Sequence, residues 1–179
     1  MPTLSAETCS LLVIDFQSRL MPAIDAGEIA VRNAGRLLDA ARLLDVPVLA
    51  TEQNPQGLGT TVPSLRERLT AEHIIPKMSF DACRAPGFVG RLDSPPRIVV
   101  TGCEAHVCVL QTVLGLLHLG RRVYVVRDAI GSRAAESKET AIRRMERHGA
   151  EIVTTEMVIF EWLGTADHPR FRDGVALIK

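Results

Sequence analysis

Cys108 is the residue of this sequence whose type and setting best fit a nucleophile. It lies in the stretch 97–120, which begins with the apolar run 98–100, typical of a strand buried on both faces. Thr101-Gly102 ends this run, and a polar turn follows. Beyond the turn, apolar residues recur at helical spacing. We therefore expect Cys108 in the first turn of a helix, where free N–H groups and the positive end of the helix dipole favour a thiolate. Position alone leaves a second interpretation equally open, in which Cys108 is a small buried hydrophobe.

Two charged residues follow other short apolar runs, and their types suit the activation of a thiol. Asp15 comes directly after the run Leu11–Ile14, and Lys77 ends the segment His73–Lys77. A cysteine hydrolase needs a base that takes the thiol proton and a cation that stabilises the charges, and these residues can fill both roles. Backbone N–H groups of the turn before Cys108 would face the oxygen of a bound carbonyl. Taken singly, an aspartate at a strand end is as often a turn former, and most such lysines are solvated.

The elements that must position these residues alternate between short apolar runs and amphipathic segments. Strands are predicted at 11–14, 48–50, 73–77, 98–100, 122–126 and 151–153, and helices chiefly at 28–45, 109–119, 136–148 and 155–163. This alternation predicts an α/β fold: one Rossmann-like, doubly wound domain over residues 1–179, with six parallel strands in the order 3-2-1-4-5-6 and helices on both faces. In that order the first and fourth strands are neighbours, so Asp15 and Cys108 open into one crevice. Lys77 reaches the same edge of the sheet.

Composition argues against several classes of function. Lys and Arg together number 21, as do Asp and Glu, so the formal net charge is zero. The chain therefore has no net positive charge that would attract nucleic acid or an anionic membrane. Aromatic residues make up only 4%, which disfavours a base-stacking surface. No apolar run approaches the roughly 20 residues that span a bilayer, and the N-terminal residues lack the pattern of a signal peptide. We expect a soluble, cytoplasmic protein whose partner is a small molecule.

The four cysteines do not predict a disulfide framework. The chain is long, poor in cysteine and without an export signal, so we expect Cys9, Cys83, Cys103 and Cys108 to be reduced. Four residues separate Cys103 from Cys108, against two in a CxxC pair, which makes a thiol-redox role the weakest of the functional interpretations. His106 between them does not make a zinc site without further ligands.

Three stretches carry a resemblance to a known family. The sequences LLVIDFQ (11–17), IPKMSF (75–80) and TGCEAHVCVLQT (101–112) occur in the order and at the separations found in the isochorismatase-like cysteine hydrolases, the family that also contains the nicotinamidases. TEQNPQGLG (51–59) and DAIGSR (128–133) resemble more specifically the branch of isochorismatase domain-containing proteins. The resemblance covers nearly the whole chain.

The resemblance implies a catalytic triad of Asp15, Lys77 and Cys108, in which the cysteine attacks an amide-like or related bond and forms a covalent intermediate. It also implies a non-proline cis peptide between Cys103 and Glu104, with the N–H groups of Glu104 and Cys108 as the oxyanion hole. The family resemblance implies in addition that the chain forms a homo-oligomer, a dimer or larger. The alternative is a non-catalytic member that uses the fold for binding or assembly.

One departure from the nicotinamidases concerns their metal. They carry a metal site built on Asp-x-His after the second strand, whereas this chain has Thr51-Glu52-Gln53-Asn54 there and no histidine through Pro63. We therefore predict no catalytic metal and no cofactor, which also weakens the case for nicotinamide as a substrate.

The substrate pocket is predicted less specifically than the triad. Four residues near the triad in sequence could line it or could equally be core residues: Phe16, Gln17, Leu20 and Phe80. His106, two residues before Cys108, could be a helix-start residue near the mouth of the pocket. Glu52 either reaches the crevice or, as we favour, anchors the glycine-rich loop that follows it. Asp128, Ser132 and Arg133 are expected to form a structural turn, with a smaller chance of contacting substrate.

Overall fold

A six-stranded, all-parallel sheet forms the centre of the protein in the computed structural model, which describes residues 3–92 and 96–179. The strands are β1 (Cys9–Ile14), β2 (Val48–Gln53), β3 (Ile74–Lys77), β4 (Arg97–Cys103), β5 (Arg122–Gly131) and β6 (Glu151–Val153). Their order is β3-β2-β1-β4-β5-β6, which confirms the predicted order and places the switch of winding direction between β1 and β4.

Helices flank the sheet, and the four predicted at 28–45, 109–119, 136–148 and 155–163 are right to within a few residues. They are α1 (Gly27–Leu43), α2 (Pro55–Leu58), α3 (Pro63–Arg66), α4 (Leu110–His118), α5 (Ala135–Arg147), α6 (Thr155–Leu163) and α7 (Phe171–Ala176). The strands differ more from their predicted limits, because β2 continues through polar residues to Gln53 and β5 continues to Gly131. None of the helices in the described residues is long and apolar enough to cross a membrane.

Strand β1 shows why the short apolar runs predicted a sheet covered on both faces. Leu11 and Val13 pack in one hydrophobic cluster with residues of α1 and α6, which we call the α1-side core. Leu12 and Ile14 pack in a second cluster with residues of α4 and α5, the α4-side core. Because successive side chains of a strand point to opposite faces, a strand buried on both faces is apolar at most of its positions.

The ends of β1 and β4 approach each other unusually closely at Gly102. Its φ of +150° is rarely adopted by residues with a side chain. A Cβ added there would come within 2.6 Å of Ile14 Cβ and would also clash with the Ile14 carbonyl oxygen. The β4–β5 register shifts between Val100 and Gly102 at the same point. Glycine therefore allows the two strand ends that carry Asp15 and the cysteine turn to come into contact.

Candidate active site

Asp15 and Lys77 form a buried ion pair at the carboxyl edge of the sheet. Lys77 Nζ lies 2.7 Å from Asp15 Oδ2, and neither side chain is exposed to solvent. The other carboxylate oxygen, Asp15 Oδ1, accepts a hydrogen bond of 2.7 Å from Thr51 Oγ1. Lys77 also donates to the Ser79 carbonyl at 3.3 Å. Two buried charges are tolerated when further hydrogen bonds satisfy them, as they do here.

Gln53 links this ion pair to the cysteine. Its Oε1 accepts a 2.7 Å hydrogen bond from Lys77 Nζ and lies 4.0 Å from Cys108 Sγ. Its Nε2 donates to the Met78 carbonyl at 2.8 Å, which fixes the orientation of the amide. The residues predicted from three separate parts of the sequence are thus brought together, with Gln53 between them.

Thr51 and Gln53 are the site residues that sequence reasoning missed. The prediction ended the second strand at Ala50, because the polar residues that follow are typical of a loop. The useful signal was the alternation of side chains along a strand. Leu49 packs in the same α4-side core as Cys108, and Thr51 and Gln53 share its face of β2 at two and four residues further on.

Cys108 lies in a π-helical turn, Ala105–Val109, that precedes α4 and replaces the regular first helical turn that we predicted. The residue is 6% exposed. The pKa of its thiol is raised to about 12, chiefly by burial and in addition by the negative charge of Asp15, while Lys77 acts in the opposite direction. The expectation that the helix start lowers this pKa is therefore wrong, because desolvation of the thiolate outweighs the favourable charges. The resting group is a thiol.

The turn before the nucleophile is held from the end of β5. The peptide bond between Cys103 and Glu104 is cis. Glu104 Oε2 accepts hydrogen bonds of 3.0 Å from both the backbone N–H and the Nε of Arg133. In the same turn, His106 Nδ1 lies 3.0 Å from Ser132 Oγ. The segment expected to be a structural turn thus contacts the turn that carries the candidate nucleophile.

Cys103 and Cys108 occupy opposite faces of the sheet. Cys103 belongs to the α1-side core and Cys108 to the α4-side core, and both are free thiols. Burial raises the pKa of Cys103 above its usual range. A thiol-redox role needs two sulfurs that can reach each other, so this arrangement argues against it.

The candidate pocket residues are not brought together. Phe16 is buried in the α1-side core, and Leu20 packs against the same core. Gln17 is buried and joins two backbone segments, since its Oε1 accepts from Gln53 N at 2.7 Å and its Nε2 donates to the Gly59 carbonyl at 2.6 Å. Phe80 is 51% exposed. His106, half-buried, contacts Ser132 as described above.

Cavities near these residues are modest in size. One of about 350 Å³ lies beside Lys77 and is lined in addition by Pro55, Pro76, Met78, Ser79, Arg84, Ala85 and Pro86. Phe80 and His106 line two other cavities. A larger cavity of about 610 Å³ lies at the start of α1 and contains none of the predicted site residues. The chemistry of the residues, rather than cavity size, therefore identifies the candidate site.

Glu52 contacts the loop that follows it, as the favoured interpretation requires. Its Oε1 accepts hydrogen bonds from Thr61 N at 2.7 Å and from Thr61 Oγ1 at 2.8 Å, and Arg66 Nη1 lies 4.0 Å away. Because Glu52 is next to Gln53 on the strand, its side chain points to the opposite face. The buried carboxylate thus fixes residue 61 at the end of the glycine-rich loop.

We expect Thr61→Val to lower the free energy of unfolding by about 1–3 kcal/mol, because the buried Glu52 carboxylate loses a hydrogen bond that no solvent replaces. The measurement is urea unfolding at pH 7. The matched control is Thr60→Val at the exposed neighbouring position, which should change stability by less than about 0.5 kcal/mol. Equal effects of the two substitutions would contradict the anchoring role.

Comparison with known proteins places this arrangement in a family. The isochorismatase domain matches residues 9–157, a span that includes the ion pair, Gln53 and the cysteine turn. The chain belongs to the isochorismatase family. Isochorismatase domain-containing protein 2A of Mus musculus is 38% identical over 176 residues, which cover 97% of this chain and 84% of that protein.

Solved structures share the fold over nearly the whole chain. The structure of MAR1 ribonuclease from Caenorhabditis elegans is 38% identical, with a TM-score of 0.94, and the match covers 98% of this chain and 92% of that one. The YcaC gene product of Escherichia coli, an octameric hydrolase of unknown specificity, has a TM-score of 0.89 at 23% identity, covering 99% and 88% of the two chains. At that identity the likeness shows the fold alone.

Glu52 and Gln53 lie where nicotinamidases carry their metal ligands, according to the resemblance. Both side chains are already hydrogen-bonded within the protein. Glu52 is bound to Thr61, and Gln53 is bound to Lys77 and Met78. Among residues 3–92 and 96–179, no group of three or more His, Cys, Asp and Glu side chains is arranged to hold a metal ion. The metal-independent reaction stays a prediction.

Proposed function

We propose that this isochorismatase-family protein is a cysteine hydrolase that cleaves an amide-like C–N bond or a related C–O bond of a small molecule. The observation that carries the proposal is the buried Asp15–Lys77 pair joined through Gln53 to Cys108. Burying two charges is costly, and a hydrophobic pair would serve packing as well. A charged pair beside a thiol at the carboxyl edge of a parallel sheet fits a catalytic role instead.

In the first half of the reaction Cys108 is acylated. Asp15 accepts the Sγ proton as sulfur attacks the carbonyl carbon, which is required because the resting group is a thiol. The carbonyl π electrons move to oxygen, and the N–H groups of Glu104 and Cys108 stabilise this oxyanion. The C–N or C–O bond then breaks, and the leaving nitrogen or oxygen takes the proton from Asp15. Lys77 stabilises the negative charges throughout.

In the second half a water molecule releases the acid. Asp15 takes a proton from the water, whose oxygen attacks the thioester carbon and again places negative charge in the oxyanion hole. The C–S bond breaks, Cys108 recovers the proton, and the carboxylic acid leaves. The proton count is unchanged after one cycle, and no step oxidises or reduces an atom.

The family resemblance and the composition also support proposals for the partner, the cellular location and the oligomeric state. The partner is a small-molecule substrate rather than nucleic acid, and the net charge of zero supports this choice. We propose that the protein works in the cytoplasm as a homo-oligomer. The octameric state of the E. coli relative supports assembly as a property compatible with this fold.

A panel of amides and esters tests the proposal, with Cys108→Ala as the decisive variant. We expect at least one substrate to show turnover that falls by about 10⁴-fold or more in Cys108→Ala, because the covalent step is lost. Cys83→Ala is the matched control, since Cys83 is a half-buried free thiol outside the site, and it should retain wild-type turnover.

Trapping of the acylated enzyme by acid quench and mass measurement of the peptide containing Cys108 gives a second readout. RNA belongs in the panel because one relative is a ribonuclease by name. RNA cleavage that survives Cys108→Ala would contradict the proposal. Ligand binding without any Cys108-dependent turnover would instead support the alternative, a non-catalytic binding protein.

A further inference from the structure

The segment Gly131–Arg133 makes two contacts with the turn that precedes Cys108. Arg133 donates from both its backbone N–H and its Nε to Glu104 Oε2, each at 3.0 Å. Ser132, which is buried, places its Oγ 3.0 Å from His106 Nδ1. The segment is itself fixed, because the Asp25 N–H donates to the Ser132 carbonyl at 3.0 Å. Two neighbouring residues at the end of β5 thus hold the turn on which the proposed oxyanion hole depends.

The charge of Glu104 gives these contacts a chemical consequence. The carboxylate is buried, with 9% of its side chain exposed, and it belongs to the residue whose N–H would stabilise the oxyanion. An uncompensated negative charge at this position would oppose the anionic intermediate, since low local dielectric strengthens repulsion between like charges. Arg133 supplies the opposite charge from a position that is 62% exposed. The guanidinium therefore both orients and neutralises Glu104.

We propose that Arg133 is a positioning residue for acyl transfer, which holds the Glu104 turn in place and cancels the Glu104 charge beside the developing oxyanion. This inference rests on the proposed function and adds a residue outside the triad. It differs from an ordinary surface ion pair, of which Arg127 on β5 with Glu139 on α5 is an example: there the partners are 2.9 Å apart and 49% and 43% exposed. Such exposed pairs contribute little.

The test compares Arg133→Met with Arg127→Met in steady-state kinetics on a substrate from the panel. We expect Arg133→Met to lower kcat by about 10- to 100-fold, because a displaced oxyanion donor loses much of its effect, while KM changes by less than about threefold. Arg127→Met should leave both parameters unchanged. The alkylation rate of Cys108 by iodoacetamide should also stay near wild type in Arg133→Met, because Asp15 and Lys77 are the charges that govern this thiol.

A variant that lacks both the Glu104 and the Arg133 charge distinguishes the electrostatic role of Arg133 from a role in packing alone. In the Glu104→Gln background, Arg133→Met should cost less than about threefold in kcat, because no carboxylate is left unpaired. Arg133→Lys keeps the charge and should retain more activity than Arg133→Met, and it serves if the methionine variant does not fold. Wild-type kcat in Arg133→Met, or an equal loss with and without Glu104, would overturn the inference. Absence of any Cys108-dependent turnover in the wild type would instead overturn the proposed function.

Discussion

Asp15→Asn and Lys77→Met are expected to abolish most turnover while changing the reactivity of Cys108 in opposite directions. Loss of the proton acceptor or of its charge partner should lower kcat by about 10²–10⁴-fold. The negative charge of Asp15 raises the pKa of Cys108, and Lys77 lowers it. At pH 8, iodoacetamide should therefore label Cys108 faster than wild type in Asp15→Asn and more slowly in Lys77→Met, by about three- to tenfold each.

The pH dependence of labelling in the wild type follows from the same pKa. A thiol with a pKa of about 12 is almost fully protonated at pH 8, so the alkylation rate should keep rising from pH 7 to pH 10 without a plateau. Peptide mass spectrometry resolves the Cys108 adduct from those of the other thiols. Glu139→Gln, at an exposed ion pair, is the control and should leave the rate unchanged. A plateau near pH 7, or equal effects of the two triad variants, would contradict the proposed roles.

Gly102→Ala is expected to cause the largest loss of stability among single methyl additions to this chain. A Cβ at this position would lie 2.6 Å from Ile14 Cβ and clash with the Ile14 backbone, and φ is +150°. Neither strand can move away without breaking the β1–β4 pairing at the centre of the sheet. We expect a loss of more than about 4 kcal/mol in the free energy of unfolding, or failure to fold.

Substitutions at two other glycines distinguish the stability lost through the steric clash from the stability lost through the unfavourable backbone conformation. Gly87 has φ of +76° and no atom within 4 Å of an added Cβ, so Gly87→Ala should cost only the strain of that conformation, about 1–2 kcal/mol. Gly90 has neither a positive φ nor a close neighbour, and Gly90→Ala should lie within about 1 kcal/mol of wild type. Thermal and urea unfolding of the three variants give the comparison. A Gly102→Ala protein as stable as Gly87→Ala would show that the strand ends are less closely packed than described.

The strand order and the Asp15–Lys77 contact could be predicted because apolar runs mark the strands and parallel strands end at one edge. The limits of β2 could not. Thr51 and Gln53 are polar, and their hydrogen-bond partners Asp15 and Lys77 belong to distant parts of the chain, so residue type alone does not distinguish them from loop residues. Tertiary contacts routinely override local preference in this way.

The ionisation state of Cys108 was beyond the sequence for a different reason. Its neighbours in the chain indicate a helix start and its partners include a lysine, both of which favour a thiolate. The opposing effect is burial in the α4-side core, which gathers residues from several strands and helices, and only the folded structure shows that burial dominates. A site residue can thus be predicted correctly while its resting protonation is not.

The glycine-rich loop after β2 is attached to the protein by hydrogen bonds at two points, and this affects which of its residues can vary. Gln17 donates a hydrogen bond to the Gly59 carbonyl and Glu52 accepts one from the Thr61 N–H, so neither attachment of the loop after β2 is made by Asp15 or Lys77 themselves. Residues 55–58 lie between the end of β2 and the first of these attachments, at Gly59. Substitutions at Pro55 would therefore change the wall of the cavity beside Lys77 while both attachments of the loop remain.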